Sequence, residues 1–205
     1  MEWSELLANQ LHDLKNQLGV LMQQIDTGDL EQLPAMQQSS RLIHDDLNGV
    51  LMLYRMQQEQ FRLDRMDLPL CDVPQEAVAR HLPLLERAGI TVTIDCDVHA
   101  YGFYDRPLLV SVMAHGLLNA IHADASQILF SATREEGGAC FTLDDDGVGL
   151  GNLKGAERAE EGSGIGLVLG RAIAAAHQRA GHEGVLSLQA SERLNGAQLK
   201  LWIPG

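Results

Sequence analysis

Apolar side chains in the N-terminal part of the chain recur at alternating steps of four and three residues. The first series consists of Leu7, Leu11, Leu14, Leu18, Leu21 and Ile25. This spacing forms one apolar stripe along a helix that packs against a second helix. A second series with the same rhythm runs from Leu33 to Phe61. Thr27-Gly28-Asp29 lies between them, so we predict two long helices joined by a short turn.

A hairpin of two helices leaves much of its apolar stripe in contact with water. Two copies that pair into a four-helix bundle would cover the stripe, and we therefore expect a homodimer. Packing of the stripe on the chain's own C-terminal domain is the alternative.

The pattern changes at Asp67–Pro74, where two prolines interrupt the helical period. We therefore expect a helical domain over residues 1–66 and a second domain over 67–205. In the second domain the periodicity predicts helices over 75–88, 107–123 and 165–180, and strands over 90–95, 128–132, 139–143, 185–190 and 197–203. Helices on one side of a mixed sheet form an α/β sandwich, so the predicted fold class is α+β.

The composition excludes several partners. The formal net charge of −13 over 205 residues disfavours a nucleic acid or an anionic membrane surface. No apolar run approaches the ~20 residues that cross a bilayer, and the N-terminus lacks the basic region of a signal peptide. The cysteines Cys71, Cys96 and Cys140 are odd in number and far apart, so we interpret them as small core residues rather than a disulfide framework. A cytoplasmic protein is expected.

Two glycine-rich segments point to a nucleotide. Asp145-Asp146-Gly147-Val148-Gly149 follows a predicted strand and pairs a hydrogen-bond acceptor, Asp145, with glycines that let the backbone approach a flat base. Gly162-Ser163-Gly164-Ile165-Gly166-Leu167 opens a predicted helix, whose N-terminal N–H groups favour phosphates. An acidic surface turn and a glycine hinge are the alternative interpretations.

Asn119 lies on the apolar helix that precedes these strands. Its side-chain oxygen is the type of ligand that Mg²⁺ accepts, and Mg²⁺ completes its shell with water and phosphate oxygens. A buried amide that bonds to the backbone is the alternative.

His12-Asp13-Leu14-Lys15-Asn16 offers a phosphoryl acceptor on the first helix. Asp13 can fix the tautomer of His12 that leaves the other ring nitrogen nucleophilic. Asn16 lies one turn further on, where an amide can position water. His44-Asp45-Asp46-Leu47-Asn48 repeats the spacing on the second helix. It has no counterpart of Lys15, and Asp46 adds an acid that would repel phosphate, so we favour His12.

Taken together and in order, these segments resemble the H, N, G1 and G2 boxes of histidine kinases. The segment Asp105-Arg106-Pro107 also resembles the one that opens the N-box helix. The resemblance implies a Bergerat-type ATP-binding fold, with Asp145 on adenine, Asn119 on Mg²⁺, and Gly147, Gly149, Gly162, Gly164, Gly166 and Leu167 bordering a lid. His122 stands where a phosphate-binding lysine is usual, and His115 where many members carry a second asparagine.

The implied activity is ATP-dependent autophosphorylation of His12, followed by transfer to an aspartate of a response-regulator receiver domain. Few residues precede His12, so the signal is expected to arrive through a separate sensor protein. Phosphatase activity towards the receiver is a further expectation. Two alternatives are an ATP-independent phosphotransferase and a non-catalytic module in which ATP controls the binding of a partner.

Overall fold

The computed structural model describes residues 3–26, 33–58, 61–148 and 165–205. The chain divides into two compact units, Met1–Phe61 and Arg62–Gly205. The division at residue 66 given above stays a prediction.

The first unit is the expected helical hairpin. Helix α1 spans Trp3–Asp26 and helix α2 spans Leu33–Met56. Helix α2 ends before Phe61, because the N–H groups of Gln57 and Gln58 bond to carbonyls three residues back and tighten the last turn. Among the described helices, none has the length and apolar character needed to cross a membrane.

Alternate members of the α1 stripe have different environments. Leu14 and Leu21 are buried, and they share this with Val50 and Leu53 of α2. Leu11, Leu18 and Ile25 expose about half of their surface, at 52%, 47% and 57%. One edge of the stripe therefore forms the interior of the hairpin, and the other edge faces outward.

The second unit is built on a five-stranded mixed sheet with strand order β2-β4-β5-β9-β8. These strands span Thr91–Cys96, Gln127–Glu135, Gly138–Asp145, Ala197–Pro204 and Val185–Ala190, respectively. β2 runs parallel to β4, and the other pairs are antiparallel. Two small sheets pair β1 (Met66–Pro69) with β3 (Tyr101–Tyr104), and β6 (Gln178–Arg179) with β7 (His182–Glu183).

In the described part of this unit, three helices accompany the sheet: α3 (Asp72–Ala88), α4 (Arg106–His122) and α5 (Ile165–Ala176). Helix α4 buries nine residues because it is apolar on nearly every side. Phe130, Phe141, Leu143 and Leu201 form the buried side of the sheet. Side chains along a strand point alternately to its two faces. Asp145 is two residues after Leu143 on β5, so its side chain lies on the same face, which is the face that the helices cover. The α+β class and the α/β sandwich are confirmed.

The expectation for the cysteines was wrong. Cys71 and Cys96 form a disulfide across a sequence separation of 25, with Cα atoms 5.7 Å apart. The chain runs up α3 and back along β2, which brings the start of the helix to the end of the strand. Spacing along the sequence does not reveal this return. Cys140 is a buried free thiol, as expected, and burial raises its pKa to about 12.

Candidate nucleotide-binding site

Asp145 is a buried carboxylate at the end of β5, with 6% of its surface exposed. Its Oδ1 accepts hydrogen bonds from the backbone N–H groups of Gly147, at 3.0 Å, and Ala197, at 3.2 Å. Its Oδ2 accepts none from the part of the chain that the structure describes. Two backbone donors thus hold the side chain in place, and one oxygen remains as an acceptor for a ligand amino group.

The segment after Asp145 contacts the residue that follows α4 and the residues that open β4. A Cβ at Gly147 would come within 2.5 Å of the carbonyl oxygen of Ala123, so only glycine fits there. The N–H of Val148 donates to the same oxygen at 2.8 Å. Asp146 accepts hydrogen bonds from Ser126 and from the N–H of Gln127, which lower the pKa of its carboxyl group.

Helix α4 supplies the second side of the site. It begins at the N-cap residue Asp105, whose Oδ1 accepts from the N–H of Leu108 at 3.3 Å. Near its end, the side chains of Asn119 and His122 are exposed. Ala123, whose carbonyl oxygen contacts Gly147 and accepts from Val148, directly follows His122. Asn119 and His122 therefore lie beside the end of the turn that contains Asp145.

The start of α5 lies against the same helix. A Cβ at Gly166 would come within 3.0 Å of Cβ and Cδ2 of His115. Leu167, the next residue, is buried. Gly166 and Leu167, the described end of the Gly162–Leu167 segment, thus pack about one helical turn from Asn119. Gly149, Gly162 and Gly164 lie outside the described residues.

His115 carries an unsatisfied nitrogen at this junction. Its Nδ1–H donates to the carbonyl oxygen of Ser111 at 2.8 Å, which puts the lone pair on Nε2. Nε2 is buried, and it has no hydrogen-bond partner among the described residues. The sequence showed only that His115 departs from the family's usual asparagine; the lone pair is evident from the fold alone.

The beginning of α4 is held by a second histidine. His177 is 1% exposed, and its Nδ1–H donates to the carbonyl oxygen of Ile173 at 2.8 Å. Its Nε2 accepts from the backbone N–H of Asp105 at 3.2 Å. Burial lowers the pKa of His177, so the neutral ring is favoured. Oδ2 of Asp105 accepts from the N–H of Asp64 at 2.9 Å, which ties the start of this unit to the same point.

The predicted acceptor lies in the first unit. His12 is exposed on α1, and the side-chain amide of Asn16 lies 3.2 Å from its Nδ1. If Nδ2 of Asn16 faces the ring it donates to Nδ1, whereas the opposite amide orientation accepts from Nδ1–H and puts the lone pair on Nε2. The side chain of Asp13 lies outside the described residues.

His44 has the same local arrangement on α2. The amide of Asn48 lies 3.2 Å from its Nδ1. Asp46 is drawn towards α1, where its Oδ2 accepts from Nε2 of Gln17 at 3.1 Å. Local geometry therefore does not separate the two histidines.

Comparison with known proteins identifies relatives by sequence. The chain is 27% identical to the sensor-like histidine kinase SenX3 of Mycobacterium tuberculosis over 148 residues, which cover 65% of this chain and 36% of SenX3. It is 24% identical to SenX3 of Mycolicibacterium smegmatis over 197 residues, 84% of this chain and 51% of the relative. The chain thus spans between a third and about half of these relatives. No family model matches.

Solved structures share the fold. The histidine kinase AdeS of Acinetobacter baumannii matches with a TM-score of 0.71 and 18% identity, over 94% of this chain and 97% of AdeS. The histidine kinase ThkA in complex with the response regulator TrrA matches with a TM-score of 0.70 and 17% identity, over 98% of this chain and 61% of the other.

The second unit has a counterpart of its own. The ATP-binding domain of PrrB from Mycobacterium tuberculosis matches with a TM-score of 0.57 and 23% identity, over 69% of this chain and 98% of that domain. In sequence the chain is similar to sensor histidine kinases, and it has the fold of their transmitter module.

Proposed function

We propose that this chain catalyses ATP-dependent phosphorylation of His12 and passes the phosphoryl group to an aspartate of a response-regulator receiver domain. The observation that carries the proposal is the arrangement around Asp145. A fixed, buried carboxylate with one available oxygen lies beside the end of α4, and α4 also contacts the start of α5. An adenine ring and a phosphate chain need these two features next to each other.

The nucleotide half of the reaction depends on four groups. Oδ2 of Asp145 accepts from the adenine amino group. The N–H groups of the first turn of α5, around Gly166 and Leu167, have no partner within the helix itself and attract the phosphates. His122 stands at the phosphate-binding position. Gly149, Gly162 and Gly164 border the lid.

Asn119 is the proposed ligand for the divalent cation, Mg²⁺. The exposed side-chain oxygen of Asn119 is a ligand of the type that Mg²⁺ accepts, so this residue fits such an ion. When bound, the cation offsets the negative charge of the transferred group.

In the first step, Nε2 of His12 attacks the γ-phosphorus. A nitrogen–phosphorus bond forms while the bond to the bridging oxygen breaks, and ADP leaves with the electron pair. The reactive tautomer carries its proton on Nδ1, and the carboxylate of Asp13 is the proposed base that takes this proton. With its amide turned so that the oxygen faces the ring, Asn16 would accept a hydrogen bond from Nδ1–H without taking the proton. In the second step, a carboxylate oxygen of the receiver attacks phosphorus and releases His12.

The receiver partner and the dimer are also proposed. ThkA is seen in complex with a response regulator, and this chain shares its fold. The outward edge of the hairpin, which contains Leu11, Leu18 and Ile25, supports pairing of two copies. Asn16 beside His12 supports phosphatase activity towards the receiver, because an amide one turn from the phosphoryl site can orient water. A cytoplasmic location belongs to the same proposal and rests on the composition alone, because the Cys71–Cys96 disulfide removes the cysteines as support for it.

Two other functions use the same fold. An ATP-independent phosphotransferase would keep His12 and lose the nucleotide, and His122 in place of lysine favours it. A binding module would keep the nucleotide and not need His12.

Incubation with γ-labelled ATP and Mg²⁺ tests the proposal. We expect acid-labile label on the unchanged protein and on His44→Ala, and none on His12→Ala. His44→Ala is the matched control, because His44 has the same amide contact as His12. Label that persists in His12→Ala contradicts the proposed acceptor. A protein that binds no nucleotide yet takes phosphate from a phosphorylated receiver is the phosphotransferase.

A further inference from the structure

The buried Nε2 of His115 has no hydrogen-bond partner among the described residues. An acceptor that loses water and gains no hydrogen bond destabilises the folded protein. The Nδ1 contact with Ser111 fixes the tautomer, so Nε2 presents a lone pair and no proton. A cation or a ligand donor would satisfy it.

The position of His115 favours a metal ion. Asn119 lies four residues further along α4, on the same face of the helix, and offers a side-chain oxygen. Gly166, at the start of α5, lies against the His115 ring. Under the proposed function the phosphates gather at this helix start, so a cation bound to them would lie beside both side chains.

The donor set determines which cation fits best. Mg²⁺ strongly prefers oxygen ligands, whereas an imidazole nitrogen binds first-row transition ions more tightly, in an order that rises from Mn²⁺ to Co²⁺. We propose that Nε2 of His115 and the side-chain oxygen of Asn119 together bind the nucleotide's divalent cation, and that this gives the site a preference for a transition ion over Mg²⁺. The inference rests on the proposed nucleotide site.

Calorimetric titration with a non-hydrolysable ATP analogue, in Mg²⁺, Mn²⁺ or Co²⁺, measures this preference without any catalytic step. We expect about tenfold or tighter binding with Co²⁺ than with Mg²⁺, and an intermediate value with Mn²⁺. His115→Asn replaces the nitrogen donor with an amide oxygen. It should bind the analogue with nearly equal affinity in all three ions.

His81→Asn is the matched control. His81 makes the same contact one turn back, from Nδ1–H to the carbonyl oxygen of Ala77 at 3.0 Å, but on α3. It should keep the preference of the unchanged protein. Circular dichroism of each variant verifies that it is folded.

Electron spin echo spectroscopy of bound Mn²⁺ gives an independent readout. A directly bonded ¹⁴N produces a modulation that should be present in the unchanged protein and in His81→Asn, and absent in His115→Asn. Equal binding in all three ions without a nitrogen signal would overturn the inference and leave the ATP site intact. Failure to bind the analogue with any ion would overturn the ATP site itself, and this inference with it.

Discussion

Nε2 of His177 accepts a hydrogen bond from the backbone N–H of Asp105 over 3.2 Å. This bond joins the end of α5 to the N-cap of α4, so the two helices that flank the proposed phosphate position share one anchor. It requires a neutral ring, because a protonated Nε2 would place one donor against another.

The stability of the second unit should therefore fall in mild acid. Burial lowers the pKa of His177 below its ordinary value of 6.5. Between those two pKa values the unfolded chain binds a proton that the folded chain does not, so the free energy of unfolding decreases as the pH falls below about 6.5. Thermal unfolding between pH 7.5 and 5.5 measures the slope. His177→Gln should flatten it, and His99→Gln, an exposed control, should not. Equal slopes in all three proteins would contradict the prediction.

The Cys71–Cys96 disulfide should stabilise the second unit. A crosslink that closes a loop of this length contributes about 3 kcal/mol. We expect a reductant to lower the denaturant midpoint, and the double variant Cys71→Ser/Cys96→Ser to have the lower midpoint without reductant. Cys140→Ala should keep the response to reductant, because Cys140 lies outside the crosslink. An unchanged midpoint on reduction would show that the crosslink contributes nothing.

Gly147→Ala should damage the nucleotide site. The added Cβ would lie 2.5 Å from the carbonyl oxygen of Ala123, so the segment after Asp145 must shift. We expect weaker binding of an ATP analogue and a loss of about 1–3 kcal/mol in the free energy of unfolding. Gly19→Ala is the control, because a Cβ added there would meet nothing within 4 Å. It removes a glycine from helix α1, so it should not destabilise the protein. Unaltered affinity in Gly147→Ala would count against the assigned position of the nucleotide.

Leu18→Lys should dissociate the proposed dimer. Leu18 lies on the outward edge of the hairpin, where a charge would face the second copy. Sedimentation should give a dimer for the unchanged protein and for the exposed control Gln23→Lys, and a monomer for Leu18→Lys. A monomeric unchanged protein would remove the basis for pairing.

Strong periodicity made much of the fold predictable. The helical hairpin, the five strands of the main sheet and helices α3 and α4 all appear near their expected positions. The hairpin shows a regular apolar repeat, and α4 is a long apolar run. Strands β1, β3, β6 and β7 were not predicted. They are two to four residues long, which is too short to show a repeat. β1 pairs with the distant β3, and β6 pairs with the adjacent β7, so in both cases pairing stabilises them more than their own sequence does.

Some residues of the candidate site were also predictable from the sequence, and others were not. Asp145, Asn119 and Gly147 were predicted because glycine turns and a family resemblance mark their segments. His177 was given no role, since its partner Asp105 lies 72 residues away. The disulfide was missed for a similar reason, because only the fold brings Cys71 and Cys96 together. All the ligand-binding roles in this site stay predictions, including those of Gly149, Gly162, Gly164 and the side chain of Asp13, which lie outside the described residues.

Nucleotide binding through Asp145 is the most direct test, since this chain can phosphorylate His12 only if it holds ATP. Calorimetry with an ATP analogue and a divalent cation should show one site per chain in the unchanged protein. Asp145→Asn presents an amide in place of the carboxylate, and we expect at least about tenfold weaker binding, equal to a loss of about 1.4 kcal/mol. Ser187→Ala, on β8, is the control and should bind normally. The absence of binding in the unchanged protein, or equal binding in Asp145→Asn, would contradict the account.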